Sequence, residues 1–196
     1  QAPVPNGSQI QTLAIQSDGK IVIGGTFDSY KGASAKGILR INTNGSIDPT
    51  FNIGTGMNYG VFVVKMQSDG KILFAGSSDK YNGTDIKGIG RLNMDGTLDS
   101  NFDPGGGPVG RVLSIALQSD NKIIVGGEFT QFNGQEMSKI TRLNPNGSLD
   151  NTFVNQGTLG PYNNLTFYGV ENIATQTDGK ILIGGDFITY NSTLRK

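Results

Sequence analysis

The chain has no cysteine, no histidine and no tryptophan among its 196 residues. Lack of cysteine rules out a disulfide framework and a thiolate nucleophile, and lack of both cysteine and histidine rules out a Cys/His metal site. Net charge is missing as well, since sixteen basic and sixteen acidic residues cancel. No basic footprint therefore points to nucleic acid or to an anionic membrane. Nor is there an apolar run of about 18 residues, so no membrane insertion is expected. No apolar 3.6-residue periodicity of useful length occurs, and no helix is predicted. The chain begins at Gln1 without a positive region followed by an apolar stretch, and is read as a mature form or a fragment.

Glycine, by contrast, is abundant, with 30 residues and no Gly-X-Y period. Together with short β-branched runs this predicts many turns in an all-β fold. One line of text recurs four times: Gln16-Ser17-Asp18-Gly19-Lys20-Ile21, Gln67-Ser68-Asp69-Gly70-Lys71-Ile72, Gln118-Ser119-Asp120-Asn121-Lys122-Ile123 and Gln176-Thr177-Asp178-Gly179-Lys180-Ile181, at spacings of 51, 51 and 58 residues. A period near 50 means one supersecondary unit copied in tandem. The units run approximately over 9–59, 60–110, 111–168 and, in part, 169–196, within a single repeat domain 1–196.

Each unit opens with two short strands around the repeated line, such as Ile10 to Ile15 and Ile21-Val22-Ile23. Asp18, Asp69, Asp120 and Asp178 are expected to bond the backbone of the turn, and the following glycine to supply a positive φ. Asn121 replaces that glycine in the third copy, which assigns the position to backbone geometry. The second strand is continuously apolar, so it is expected to be buried on both faces. It ends at Gly25, Gly76, Gly127 and Gly185, where small residues allow close backbone approach. Aromatics follow (Phe27/Tyr30, Phe129/Phe132, Phe187/Tyr190, with Tyr81 alone in copy two), then an Asn-Gly read as a loop.

A third strand carries Arg40, Arg91 or Arg142 between apolar residues, and after a tight turn a fourth, outer strand runs to Phe51, Phe102 or Phe153. Four antiparallel strands in about 50 residues form the unit of a β-propeller blade. The fold class expected is thus all-β, with four tandem blade-like repeats of 51–58 residues in an incomplete or segmental propeller. Each Arg is expected to pair with an Asp eight residues on, as a partly exposed ion pair contributing about 0–1 kcal/mol. On that basis Phe102→Ala is expected to cost more than Arg91→Ala.

The repeated Gln-Ser-Asp-Gly-Lys-Ile-x-Ile-Gly-Gly and Arg-Leu-Asn-x-Asn/Asp-Gly-Ser-Leu-Asp-x-x-Phe lines resemble the delta-60 repeat family of β-propellers, and at a distance the kelch pattern. The resemblance implies large, multidomain bacterial or bacteriophage surface proteins and no catalytic residues.

The fourth interval is longer by seven residues, and its extra material lies within Val154 to Tyr168. Rim loops commonly carry binding, so Tyr162, Phe167 and Tyr168 are the candidate ligand contacts. The Asn-x-Asp/Asn-Gly turns are similar to a calcium loop, but an Arg would stand at the first ligand place, and turn chemistry accounts for them. Of the six Asn-x-Ser/Thr sequons, three are Asn-Gly-Ser turns and one more is Asn-Gly-Thr. For catalysis, Glu128 and Asp186 share one blade position after the double glycine, where copies one and two have Thr26 and Ser77. The sequence-level expectation is a non-catalytic module without metal or cofactor, at a cell or virion surface. Its expected partners are a glycan or protein receptor and further domains or neighbouring subunits. A carbohydrate-active enzyme and a plain spacer are the alternatives.

Overall fold

The computed structural model describes residues 8–153, 159–161, 169–190 and 193–194. Among them every regular element is a strand. The chain divides into two compact units, Gln1–Ser100 and Asn101–Lys196, each holding two repeats.

In the first unit, repeat one comprises β1 (Ile10–Ile15), β2 (Ile21–Gly25), β3 (Ser29–Tyr30), β4 (Ala33–Ser34) and β5 (Ile38–Ile41). Repeat two comprises β6 (Val61–Met66), β7 (Ile72–Gly76), β8 (Lys80–Tyr81), β9 (Thr84–Asp85) and β10 (Ile89–Leu92). In the second unit, the segment leading into repeat three forms β11 (Pro108–Val109), and repeat three comprises β12 (Val112–Leu117), β13 (Ile123–Gly127), β14 (Gln131–Phe132), β15 (Gln135–Glu136) and β16 (Ile140–Leu143). The segment leading into repeat four forms β17 (Leu159–Pro161), and repeat four comprises β18 (Val170–Thr175), β19 (Ile181–Gly185), β20 (Phe187–Tyr190) and β21 (Thr193–Leu194).

The main sheet of a repeat is antiparallel with the apolar strand in the middle: β1-β2-β5, β6-β7-β10 and β12-β13-β16, and β18-β19 in repeat four. The central strands β7 and β13 are buried throughout, as continuously apolar strands require. The Ser-Asp-Gly-Lys turn forms as its chemistry dictates. Lys20 N donates to Asp18 Oδ1 at 3.0 Å, and its counterparts in the other three repeats do so at 3.1 Å. Asn121 adopts φ 63° where the other copies have glycine near 82°, and asparagine is among the few residues that tolerate this region.

The outer strand departs from expectation. It is reduced to a single bridge per repeat, Ile41↔Ile47, Leu92↔Leu98 and Leu143↔Leu149. The residue after the bridge is the cause. Asp48 and Asp150 each take back a hydrogen bond from the backbone N–H two residues on, at 3.0 Å, turning the chain out of the ladder.

A second hairpin stands where a loop was expected. β3-β4, β8-β9 and β14-β15 are two-stranded ribbons closed by Lys31-Gly32, Asn82-Gly83 and Asn133-Gly134, with both central residues at positive φ. Two such residues make the turn whose twist matches a hairpin. The segment entering a repeat pairs with this ribbon, through Met57↔Tyr81, β11-β14 and β17-β20.

Of the recurring aromatics, Phe27, Tyr81, Phe129 and Phe132 lie inside. Phe129 and Phe132 are fully buried and meet edge to face at 6.0 Å, a favoured arrangement for aromatic rings. In repeat two Ser78 replaces the first aromatic and is buried nonetheless. Its hydroxyl accepts from Tyr59 N at 3.0 Å and donates to Tyr59 O at 2.6 Å, so the polar atom is satisfied.

Candidate functional site

The strongest cluster of charge recurs in three repeats and joins the two repeated lines. Arg40, Arg91 and Arg142 donate through Nε to Asp48, Asp99 and Asp150 at 2.7–2.8 Å. The same carboxylates receive Lys20, Lys71 and Lys122, from the Ser-Asp-Gly-Lys turn, at 2.7–2.9 Å. The Arg Nη1 also donates to Gln16, Gln67 or Gln118, at 3.3–3.4 Å. Gln and Lys of the first line therefore hold Arg and Asp of the second. Their recurrence in all copies was the available sign of a shared task, which the sequence reading confined to turn geometry.

These pairs are also more enclosed than expected. Arg40, Arg91 and all three Asp are buried, whereas Arg142 is partly exposed. Arg40 is enclosed because its Nη1 donates to the Met94 carbonyl at 2.6 Å and its guanidinium lies over the Phe51 ring at 4.7 Å. Arg142 likewise lies 4.9 Å from the Phe153 ring centre. Burial pushes the Asp48 carboxyl up, but hydrogen bonds from the Thr50 side chain and backbone and from Lys20, with the Arg40 charge, outweigh it and hold it well below the usual range. Asp150 is held low chiefly by the Thr152 hydroxyl and Lys122. Both stay ionised and saturated with donors, so neither is fit for proton transfer near neutral pH.

Gly25, Gly76, Gly127 and Gly185 sit at the opposite end of the central strands. A Cβ at any of them would collide with a backbone carbonyl of the incoming segment, from Gln9, Gly60, Arg111 and Gly169 respectively. The next residue, Thr26, Ser77, Glu128 or Asp186, lies on this rim. Glu128 is bound by Arg111 through two hydrogen bonds, Nε to Oε2 at 2.6 Å and Nη2 to Oε1 at 2.9 Å. Such a fork occupies both carboxylate oxygens. Asp186 is exposed. Among the described residues no group of three or more acidic side chains could hold a metal ion. Asn44, Asp95 and Asn146 turn their Oδ1 atoms to the backbone N–H two residues on, at 3.0–3.1 Å.

Within the first unit this rim opens into a cleft of about 340 Å³ between repeats one and two. Thr26, Asp28, Lys36, Asn58, Tyr59 and Ser77 are among its lining residues. Tyr59 is 64% exposed. Its backbone is fixed on both sides by Ser78, and its neighbour Asn58 donates to the Asp79 carboxylate and accepts from Lys80 N at 3.0 Å. An exposed ring on a pinned backbone, beside a carboxylate, an ammonium and hydroxyls, is a surface for stacking and hydrogen bonding.

Tyr162, Phe167 and Tyr168 lie outside the described residues. Tyr59 was missed by the sequence reading, although a signal was present: Tyr59-Gly60-Val61 returns as Tyr168-Gly169-Val170 just before the first strand of repeat four.

No curated protein matches the chain. Among solved structures, it is matched to a protein of unknown function from Bacteroides caccae, determined at 1.35 Å resolution, with 13% identity and a TM-score of 0.33. The match covers 74% of this chain and 66% of that one. The sequence profile of a family described as a domain of unknown function (DUF5122) beta-propeller matches residues 16–51, 67–102, 118–153 and 176–196. These segments hold the repeated turn and central strand of each copy and, in the first three, the Arg–Asp cluster, and the chain belongs to this β-propeller family.

Proposed function

We propose that this chain is a non-catalytic β-propeller module that presents its glycine-end rim to a glycan on a cell or virion surface. The observation that carries this reading is the cleft that Tyr59, 64% exposed, lines together with Asp28 and Lys36. A sugar ring offers an apolar face to an aromatic and hydroxyls to polar neighbours, and few precisely placed polar groups suffice for orientation. Tyr168, in the same tripeptide before repeat four, is proposed as a second contact, with Tyr162 and Phe167 beside it in the chain. The acids support a binding role over catalysis, because the three recurring ones are saturated by Arg, Lys and Thr and Glu128 is forked by Arg111. No cofactor has a part in the proposal. Membership of the delta-60 repeat group, with its bacterial or bacteriophage setting and attached domains, belongs to the same proposal and rests on the repeated motif lines.

A glycan array with the purified chain tests it. The expected result is a bound glycan class whose signal falls at least about tenfold in Tyr59→Ala, the scale of a lost stacking contact. Binding unchanged in Tyr59→Ala and Tyr168→Ala overturns the rim assignment. Bond cleavage that disappears in Glu128→Gln replaces it with the enzyme reading.

A further inference from the structure

Repeat two departs from the other repeats at three core positions, and the three changes fit one another. Where the others have Phe27, Phe129 and Phe187, it has Ser78. Where they have Ile23, Val125 and Ile183 in the central strand, it has Phe74 in β7. Where repeats one and three have Leu39 and Thr141, it has Gly90 in β10. Gly90 is the cross-strand partner of Phe74, as Leu39 is of Ile23 and Thr141 of Val125. A Cβ on Gly90 would stand 2.6 Å from Phe74 Cζ, so the glycine makes room for the ring.

The Phe74 ring then does in repeat two what Phe129 does in repeat three. It meets Tyr81 at 5.8 Å between ring centres, as Phe129 meets Phe132 at 6.0 Å, and all four rings are buried. The core keeps its aromatic pair, and the place held elsewhere by phenylalanine is open to a small polar residue. A hydroxyl in a buried place is a liability unless it is bonded. Ser78 is 2% exposed, and its two bonds go to the N–H and the C=O of one residue, Tyr59. These groups belong to the peptide planes on either side of the Tyr59 Cα, so holding both fixes its φ and ψ.

Repeat three shows the other arrangement. It keeps Phe129, and the place of Tyr59 is taken by Gly110 at φ 125°, where a Cβ would stand 2.7 Å from Phe129 Cα. That rim place can show no side chain. Repeat four has Phe187 and Tyr168 together in its sequence, so a tyrosine at this place does not by itself call for serine. What serine adds is the pair of hydrogen bonds.

We propose that Ser78 is the positioning residue of the Tyr59 site, and that Phe74 and Gly90 are the core exchange that frees it for this role. The role rests on the reading of the glycine-end rim as a glycan surface. A ring whose backbone is set before binding loses less freedom on stacking, so the buried hydroxyl raises affinity without touching the sugar.

Three variants test this: Ser78→Ala, Tyr59→Ala, and the triple variant Phe74→Val, Ser78→Phe, Gly90→Thr, which installs the residues of repeat three and keeps an aromatic in the core. The readouts are hydrogen exchange at the Tyr59 amide by NMR and binding to a printed array of neutral and acidic glycans, with circular dichroism as the folding control. Ser78→Ala and the triple variant are expected to speed exchange of the Tyr59 amide at least about tenfold, and Ser78→Ala to leave the amides of β7 and β10 unmoved. Affinity on the array is expected to fall about fivefold in both, the scale of ordering one side chain on binding, and further in Tyr59→Ala. The triple variant separates positioning from packing, because a serine that only filled the core would be replaced there without loss of binding. Should the triple variant fail to fold, Ser78→Ala decides alone. A Tyr59 amide that exchanges as slowly in Ser78→Ala as in the wild type overturns the proposal. Array binding kept in Ser78→Ala but lost in Tyr59→Ala also overturns it, and leaves the glycan reading of the rim standing. Tyr59→Ala that binds like the wild type, or an array without any binding, overturns both.

Discussion

Repeats three and four read almost identically through their second strand, Lys122-Ile123-Ile124-Val125-Gly126-Gly127 against Lys180-Ile181-Leu182-Ile183-Gly184-Gly185. Their environments are opposite. Ile124 has no exposed surface, whereas Leu182, at the same place in the repeat, keeps 54%. Lys122 reaches the buried Asp150, whereas Lys180 pairs with Asp178 in its own exposed turn. The strand text specifies an ability to be buried on both faces, and the neighbouring repeat realises it. Repeat three has Val170 and Ile173 over its face and β16 along its edge. Repeat four has neither counterpart among the described residues.

The largest effect that sharpens this contrast is on the strand itself. Ile124→Ala is expected to destabilise the chain by about 4 kcal/mol, within the range for a buried aliphatic side chain whose surroundings cannot close the cavity. Leu182→Ala, measured by urea unfolding, is expected to cost less than about 1 kcal/mol, since half the side chain already meets water. Equal costs would show that Leu182 is covered in solution and that the two repeats do not differ as described.

The charged cluster comes next. Asp150→Ala removes the shared acceptor of Arg142, Lys122 and Thr152. Breaking such a pair from one side is expected to cost about 3 kcal/mol, at the low end for buried pairs because Arg142 is partly exposed. Asp178→Ala, which removes the solvent-facing Lys180 pair and one exposed turn hydrogen bond, should cost no more than about 1 kcal/mol. A small loss for Asp150→Ala would return the cluster to the class of weak surface pairs expected from sequence.

What could be read in advance was local. Alternating turn residues located the main strands, and Asn121 identified its position as a backbone requirement before any coordinate was known. The eight-residue spacing from Arg to Asp was legible too, because both ends of one tight hairpin must face each other. Contacts between segments distant in the chain were not legible. That Lys122 crosses from the first line to Asp150, that Met94 covers Arg40, and that Ser78 replaces a buried aromatic by bonding Tyr59 all depend on which segments become neighbours. The ribbon β8-β9 was missed for another reason: two-residue strands carry no periodicity, and Asn82-Gly83 reads equally as loop or hairpin turn. Tyr59 was not legible as exposed because it stands in text that keeps the period, whereas the insertion breaks it.

The smallest predicted effect concerns the one feature that repeats three and four share in full. Their turns have the same hydrogen bond, Lys N to Asp Oδ1 at 3.1 Å, and the same left-handed residue, Asn121 at 63° and Gly179 at 83°. Among the described residues a Cβ on Gly179 meets nothing within 4 Å, so none of them adds to or relieves the cost of substitution there. Gly179→Ala and Asn121→Ala should each cost about 1 kcal/mol, the penalty for an ordinary side chain in this backbone region. The near equality is the informative part. Burial differs between these repeats because it is conferred from outside. The turn is paid for by its own dihedral angles, and it should cost the same wherever the repeat stands. A Gly179→Ala variant as stable as wild type would mean that the repeat-four turn relaxes freely in solution, and the contrast would then extend from the strand faces to the turn itself.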